Sequence, residues 1–266
     1  MRIVVLGKNG LLGNYIYSYL SNFYKDVIGI TRKQLDALTC SIYDIQNVIE
    51  DADVVINCIG IIHQKHDMEK DKKIFIRVNS IFPHMLASIC LDKKLIHITT
   101  DCVFSGRKGN YNEKDEHDET NIYGISKSLG EPSSACVIRT SIIGEQLNDK
   151  EGKSLLNWVK SNKNGEIKGF TSHLFSGVTC LELSKIIYKI ISERLYWKGV
   201  RHIYSNTVSK YELVSLINKY YDLNIKVNEY KTLETVDKSL TSIYDKMFDI
   251  PTLEEQIKEL SKFKLS

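Results

Sequence analysis

The 266-residue chain lacks a strong excess of charge of either sign, since 36 Lys and Arg stand against 33 Asp and Glu. The formal net charge of +3 gives no reason to expect nucleic acid or an anionic membrane as a partner. Long apolar runs are also missing, because the longest, residues 54–62, is interrupted by Asn57 and is too short to span a bilayer. We therefore expect no membrane association.

Closely spaced cysteines are absent as well. The six cysteines form no C-x-x-C pair and no spacing typical of metal ligands, so we expect no metal site. Several lie in apolar runs, where a reduced cysteine behaves as a small hydrophobic residue, and we expect a cytoplasmic protein. The apolar stretch after Met1 lacks a small-residue cleavage site and predicts a first strand, not a signal peptide. The cysteines are Cys40, Cys58, Cys90, Cys102, Cys136 and Cys180.

The first half of the chain alternates short β-branched runs with helical patterns. Ser41, followed three residues later by Asp44, predicts an N-terminal capping box. This alternation predicts an α/β fold with a Rossmann-like, doubly wound parallel sheet. The predicted strands are residues 3–6, 27–30, 54–59, 95–99 and 136–139, and the predicted helices are residues 11–21, 41–50, 74–91 and 122–131.

The pattern changes after Gly144, where residues 145–153 are polar and typical of a turn. We expect residues 1–150 to form a dinucleotide-binding domain and residues 151–266 mainly a smaller substrate-binding domain. Elements at about 170–205 are expected to return to the first domain. Helices are predicted at residues 154–162, 179–193, 211–221 and 253–263, and strands at residues 200–204 and 224–230.

A glycine-rich loop follows the first predicted strand and opens a helix. Its glycines permit a tight turn, close approach of a pyrophosphate to the backbone, and close packing of helix on strand. The phosphates would then lie at the helix N-terminus, where N–H groups are free. The alternative is a glycine-rich turn without a ligand. The predicted cofactor-binding residues of this loop are Gly7, Asn9, Gly10, Leu11, Leu12 and Gly13.

The end of the second strand predicts the type of dinucleotide. An acidic residue there favours NAD, and a basic one accommodates the 2′-phosphate of NADP. This chain has Thr31, Arg32 and Lys33, which favours NADPH, although NADH stays open and the cations could simply be solvated. Asp36 is a candidate for an adenine contact or, equally, a turn residue.

Three side chains form the candidate catalytic group. Tyr123 and Lys127 are four residues apart and share one face of a predicted helix. Because a neighbouring ammonium stabilises a phenolate, we expect Lys127 to lower the pKa of Tyr123. Thr100, at the end of the fourth strand, can bond the same reacting oxygen. Together they suit proton donation to a carbonyl that is reduced by hydride, whereas Tyr-x-x-x-Lys alone also fits an ordinary helix surface.

These residues carry a resemblance to a known family. The glycine loop, the stretch from Thr99 to Gly106, the helix containing Tyr123 and Lys127, and Arg139-Thr140-Ser141 resemble extended short-chain dehydrogenases/reductases, and among them dTDP-4-dehydrorhamnose reductases. The resemblance implies NAD(P)H-dependent reduction of the C4 ketone of a nucleotide-linked 4-keto-6-deoxyhexose, as in deoxysugar biosynthesis. The linked nucleotide would be dTDP or UDP, and the protein a monomer or homodimer.

The resemblance also assigns roles. Tyr123 would donate the proton, Lys127 would hold the nicotinamide ribose and Thr100 would orient the carbonyl. Residues 139–141 would lie beneath the nicotinamide, and His173 and Phe175 could shape the nucleotide-sugar pocket. Further cofactor contacts would come from Cys58, Ile59, Gly60, Asn79 and Thr99, and substrate contacts from Asp101, Cys102 and Val103.

One position departs from the pattern. Related dehydratases carry Glu where this chain has Cys102, which disfavours dehydration. Where the reductases commonly have an aromatic residue, Cys102 would widen the pocket, as for a 2-acetamido sugar. Two alternatives remain open, a regulatory subunit without catalysis, like that of methionine adenosyltransferase, and a sugar-nucleotide epimerase. His63 and His66 are interpreted as a solvated loop at the mouth of the site, not as metal ligands.

Overall fold

The computed structural model describes residues 1–64, 66–147 and 154–265. The strands of this part of the chain are β1 Ile3–Leu6, β2 Val27–Ile30, β3 Val54–Asn57, β4 Lys94–Thr100, β5 Cys136–Thr140, β6 Ile142–Ile143, β7 Glu166–Phe170, β8 His173–Phe175, β9 Val178–Thr179, β10 Gly199–His202, β11 Val208–Ser209, β12 Lys226–Tyr230 and β13 Val236–Asp237. The helices are α1 Leu11–Leu20, α2 Ile42–Ile49, α3 Lys72–Ile76, α4 Phe82–Ile89, α5 Ile122–Ser128, α6 Leu155–Ser161, α7 Cys180–Ser192, α8 Lys210–Tyr221 and α9 Leu253–Leu260.

A six-stranded sheet in the order β10-β5-β4-β3-β1-β2 organises the fold. Every pairing in it is parallel. The predicted α/β class with a doubly wound parallel sheet is confirmed. From β1 the chain moves first to β2 on one side and then to β3 on the other, so the crevice between β1 and β3 is a topological switch point, where open α/β sheets bind ligands.

Helices cover both faces of this sheet, which explains why the central strand β1 is apolar and buried throughout. Successive side chains of a strand point to opposite faces. Ile3 and Val5 pack into a core cluster with α1, α7 and α9. Val4 and Leu6 pack into a second cluster with α2 and α4. Since both faces are buried there, β1 is a continuous hydrophobic run without alternation.

The predicted helices of the first half agree with the structure at one place and differ from it at another. The capping box of Ser41 and Asp44 is present, with the Asp44 N–H donating to the Ser41 hydroxyl and the Ser41 N–H to the Asp44 carboxylate. The helix predicted for residues 74–91 is present but not uniform, because a π-helical turn at Arg77–Ile81 lies between α3 and α4. Such turns widen a helix locally and are frequent at functional sites.

The second half contributes both to the main sheet and to smaller ones. β10 joins the six-stranded sheet beside β5. The remaining strands form a three-stranded sheet, β11-β8-β13, and the pairs β12-β7 and β6-β9. Several of these short strands, including β7 and β8, were not predicted. The predicted domain boundary at 150/151 and most of the predicted turn at 145–153 lie outside the described residues. No helix among the described residues has the length and apolar character needed to cross a membrane.

Candidate active site

The glycine loop connects β1 to α1 and has a geometry that only small residues permit. Gly7 has φ of +80°, in the region that favours glycine. A Cβ on Gly13 would lie 2.2 Å from the carbonyl oxygen of Gly7, so α1 packs directly on the loop backbone. Gly10 precedes α1 and offers no side-chain cap, and the first turn of α1 contains no acidic residue. The N–H groups of that turn are therefore suited to an anion such as a diphosphate.

A cavity of about 290 Å³ opens beside this loop. Its far wall is the segment after β3, where Asn57 accepts a hydrogen bond from the Ile59 N–H at 3.0 Å. The structure thus gathers around one cavity residues that are separated by about fifty positions in the sequence. The predicted cofactor residues that line it are Gly7, Asn9, Gly10, Arg32, Asp36, Cys58, Ile59 and Gly60.

The residues after β2 form the outer end of the cavity. Arg32 is mostly exposed, and its Nε lies 3.0 Å from Asp36 Oδ2 in an ion pair. Asp36 also accepts a hydrogen bond from the Leu38 N–H at 3.0 Å, as a turn residue does. Thr31 bonds Gln34 through its hydroxyl, and Lys33 is exposed. A guanidinium at this mouth can meet an anionic group of a ligand in the cavity.

Asn79 lies in the π-helical turn and connects three segments of the site. Its Nδ2 donates to the Ile61 carbonyl and to Ser126 Oγ, each at 3.1 Å, and its Oδ1 accepts from the Ile61 N–H at 2.9 Å. A Cβ on Gly60 would lie 3.4 Å from Asn79 Oδ1 and 3.5 Å from Lys127 Nζ. The segment after β3 is thereby held against α5, which carries the candidate catalytic pair.

Tyr123 lies on α5 and is buried. The Gly124 N–H donates a hydrogen bond to Asn121 Oδ1, which caps the N-terminus of this helix. Burial raises the pKa of Tyr123, and the hydroxyl of Thr100 opposes that shift. The prediction that Lys127 lowers this pKa is wrong for this structure, because desolvation of the phenolate dominates. A phenol that stays protonated is suited to donate its proton.

Lys127 follows one helical turn later and is buried as well. Its Nζ donates a hydrogen bond to the Ile98 carbonyl at 3.3 Å. Burial lowers the pKa of Lys127 to about 8, although Glu131 acts in the opposite direction. The ammonium of Lys127 therefore loses its proton about one pH unit above neutrality.

The three predicted substrate residues follow Thr100 in a short 3₁₀ turn. Thr100 donates to Asp101 Oδ1 at 3.2 Å and accepts from the Cys102 N–H at 3.2 Å. Cys102 is partly buried, and burial raises the pKa of its thiol to about 12. The prediction that Val103 contacts the substrate is wrong, because its side chain is fully buried against Phe104, Tyr111 and Leu240. Thr99, also predicted, is buried at the same strand end.

The remaining predicted loop residues, Leu11, Leu12 and Gly13, form the first turn of α1. Arg139, expected beneath the nicotinamide, is instead tied into a buried cluster. Its guanidinium meets both oxygens of Glu131, at 3.1 and 2.6 Å. It also lies 2.9 Å from His202 Nε2 and 2.7 Å from His117 Nε2. These four residues are called the Arg139 cluster below, and with its donors engaged the guanidinium is not available to a ligand.

Two groups of residues at the site were not predicted. Leu35, Ala37 and Leu38 line the cavity on either side of Asp36, and their apolar character directly after β2 was a signal for them. Lys210 and Lys238 lie about 100 residues beyond the catalytic pair, yet both interact electrostatically with Asp101 and Cys102. No local pattern reveals them, since only the return of the chain places them there.

Comparison with known proteins shows which family and which fold the chain resembles. The family model described as RmlD substrate binding domain matches residues 1–243. The spore coat polysaccharide biosynthesis protein SpsK of Bacillus subtilis strain 168 is 25% identical over 254 residues, covering 91% of this chain and 83% of that protein. Methionine adenosyltransferase 2 subunit beta of Danio rerio is 31% identical over 138 residues, covering 49% of this chain and 42% of its own length.

Among solved structures, the dTDP-4-dehydrorhamnose reductase of Bacillus anthracis strain Ames, in complex with NADP, superposes with a TM-score of 0.80. It is 22% identical, and the match covers 97% of this chain and 98% of that one. At this identity the likeness establishes the fold, and it extends over both halves of the chain.

Proposed function

The chain belongs to the RmlD substrate-binding family, and from this premise we propose that it reduces the C4 ketone of a nucleotide-linked 4-keto-6-deoxyhexose with NADPH. Two contacts carry the proposal. The Thr100 hydroxyl lies beside the buried Tyr123 phenol, and Lys127, one helical turn along, approaches Gly60 in the wall of the cavity beside the glycine loop. The nucleotide would be dTDP or UDP, and the partly buried Cys102 leaves room for a 2-acetamido group.

The residues around the cavity fit a nicotinamide dinucleotide. The loop from Gly7 to Gly10 would hold its diphosphate, and Arg32 would meet the 2′-phosphate that distinguishes NADPH from NADH. Gly60 leaves space beside Lys127 and Asn79 for a ribose. When bound, the cofactor supplies the hydride.

Tyr123 would supply the proton. Its phenol is buried and neutral, so it can donate to the oxygen of a carbonyl that gains negative charge. Thr100 would hold that oxygen with a second hydrogen bond. Lys127 would stabilise the phenolate left after transfer and bond ribose hydroxyls, because its ammonium lies one helical turn away on the same face.

The similarity to methionine adenosyltransferase 2 subunit beta favours one second candidate, a dinucleotide-binding regulatory subunit without its own turnover. The presence of Thr100, Tyr123 and Lys127 argues for catalysis, because a regulatory subunit has no use for this proton-donating arrangement. An epimerase of the same superfamily would leave the cofactor unchanged overall.

The test is oxidation of NADPH in the presence of dTDP- and UDP-linked 4-keto-6-deoxyhexoses, with the product's stereochemistry read by NMR. We expect stoichiometric oxidation, and Tyr123→Phe should lower kcat by about 100- to 10,000-fold, as loss of a general acid does. Dinucleotide binding should survive in that variant. Wild-type protein that binds NADPH but reduces none of these sugars would favour the regulatory subunit. Isomerised sugar without NADPH consumption would indicate an epimerase.

A further inference from the structure

Two lysines of the second half of the chain lie next to the end of β4. Lys210 directly follows β11, and Lys238 directly follows β13. Both strands pair with β8, one on each side. Each lysine is close enough to Asp101 and Cys102 to interact with them electrostatically. The small sheet therefore brings two cations to the turn that carries Thr100.

The two lysines differ in how their charge is compensated. Lys238 Nζ forms an ion pair with Glu119 Oε2 at 3.1 Å. Lys210 forms no ion pair with any carboxylate of the described residues, and its Nζ lies 4.3 Å from the centre of the Phe175 ring. Burial lowers the pKa of Lys210. An ammonium that is partly buried without a counter-charge costs free energy, and a bound anion relieves that cost.

Asp101 does not fill this role. Its carboxylate is buried and beyond ion-pairing distance of Lys210, and Oδ1 accepts hydrogen bonds from Thr100 Oγ1 at 3.2 Å and from Cys102 Sγ at 3.5 Å. The aromatic face of Phe175 stabilises the Lys210 ammonium but carries no charge of its own. The positive charge of Lys210 is thus not neutralised by an ion pair with any carboxylate of the described residues.

We propose that Lys210 binds the diphosphate of the nucleotide-linked substrate and thereby positions the sugar toward Tyr123. This inference rests on the proposed function for the identity of the anion. A diphosphate fits because it keeps its negative charge at neutral pH and accepts several charge-assisted hydrogen bonds from an ammonium. Lys238, already held by Glu119, would form the wall of the pocket.

The experiment measures binding of dTDP and UDP to the NADP-loaded protein by calorimetry. Lys210→Met keeps the length of the side chain and removes the charge, and we expect the Kd for both nucleotides to rise about 10- to 100-fold. Lys210→Arg should restore most of the affinity. NADP affinity should stay unchanged, which reports that the fold is intact. The matched control is Lys219→Met on the same helix, where the lysine is exposed and paired with Glu254.

With a 4-keto sugar nucleotide as substrate, Lys210→Met should raise KM by a similar factor and change kcat much less. Unchanged dTDP and UDP affinity in Lys210→Met, an equal loss in Lys219→Met, or no nucleotide binding by the wild-type protein would each overturn the inference. Lys210-dependent nucleotide binding without any sugar reduction would support the inference and reject the reductase. Sugar reduction that is indifferent to Lys210→Met would do the reverse.

Discussion

Two buried cations of this molecule differ in their partners, because one forms an ion pair and the other forms none within the described part of the chain. In the Arg139 cluster, the guanidinium is 2% exposed and meets a carboxylate and two histidine rings. Burial, followed by the field of Arg139, lowers the pKa of both His117 and His202, which suits neutral rings that accept its hydrogen bonds. At the site, by contrast, Lys127 is buried with one long hydrogen bond to a carbonyl. We expect the ion-paired Arg139 to stabilise the fold, and Lys127, which forms no ion pair with the described residues, to interact with ligands.

The largest effect on stability should come from a substitution in the Arg139 cluster. Glu131→Ala would leave the Arg139 guanidinium buried without its carboxylate, and breaking a buried pair in this way costs about 3–5 kcal/mol. Urea denaturation followed by circular dichroism measures the free energy of unfolding. Glu131→Gln keeps the hydrogen-bonding shape and is expected to lose less. A loss below about 1 kcal/mol for Glu131→Ala would remove the distinction between the two regions.

Lys127→Met tests the same comparison at the cation that forms no ion pair with the described residues. Removing a buried ammonium that forms no ion pair with the described residues should leave the free energy of unfolding unchanged or raise it, because methionine packs in the same space without desolvation. The same change should lower kcat/KM about 100-fold or more, since it removes support for the Tyr123 phenolate. A clear loss of stability together with full activity would show that this lysine is structural.

The titration of Lys127 gives a smaller but diagnostic effect. Because burial lowers its pKa to about 8, its ammonium loses the proton as the pH rises through that value. We expect kcat/KM to fall over this range while Tyr123, whose pKa is raised, stays protonated. Lys127→Arg supplies a guanidinium that does not titrate there, so the alkaline decline should disappear even if the rate is lower. An unchanged pH profile in Lys127→Arg would assign the decline to another group.

The smallest effect is expected at Arg32. Its side chain is 74% exposed, so its attraction for a 2′-phosphate is screened by solvent and salt. Arg32→Ala should reduce the preference for NADPH over NADH by about tenfold at low ionic strength, and less at high salt. The KM values for both cofactors measure this preference. An unaltered ratio would mean that Asp36 or the cavity's apolar wall selects the cofactor.

Local patterns predicted the parts of the fold that depend on local physics. The predicted ranges 3–6 and 27–30 match β1 and β2, because four-residue apolar runs bounded by polar residues have few alternative structures. The π-helical turn at Arg77–Ile81 was missed because apolar spacing continues through it. β7 was missed because its Lys and Gly residues are poor strand formers, and it forms by pairing with β12.

By itself, the sequence determined the parallel sheet, the glycine loop and the spacing of Tyr123 and Lys127. Each depends on residues that are close in the chain, where side-chain type and period decide the outcome. Only the tertiary structure decided that Tyr123 is desolvated, that Arg139 is occupied by Glu131, and that Lys210 lies near Asp101 without forming an ion pair with any described residue. Charge and burial at a site depend on distant segments meeting, and no local pattern encodes which of them do.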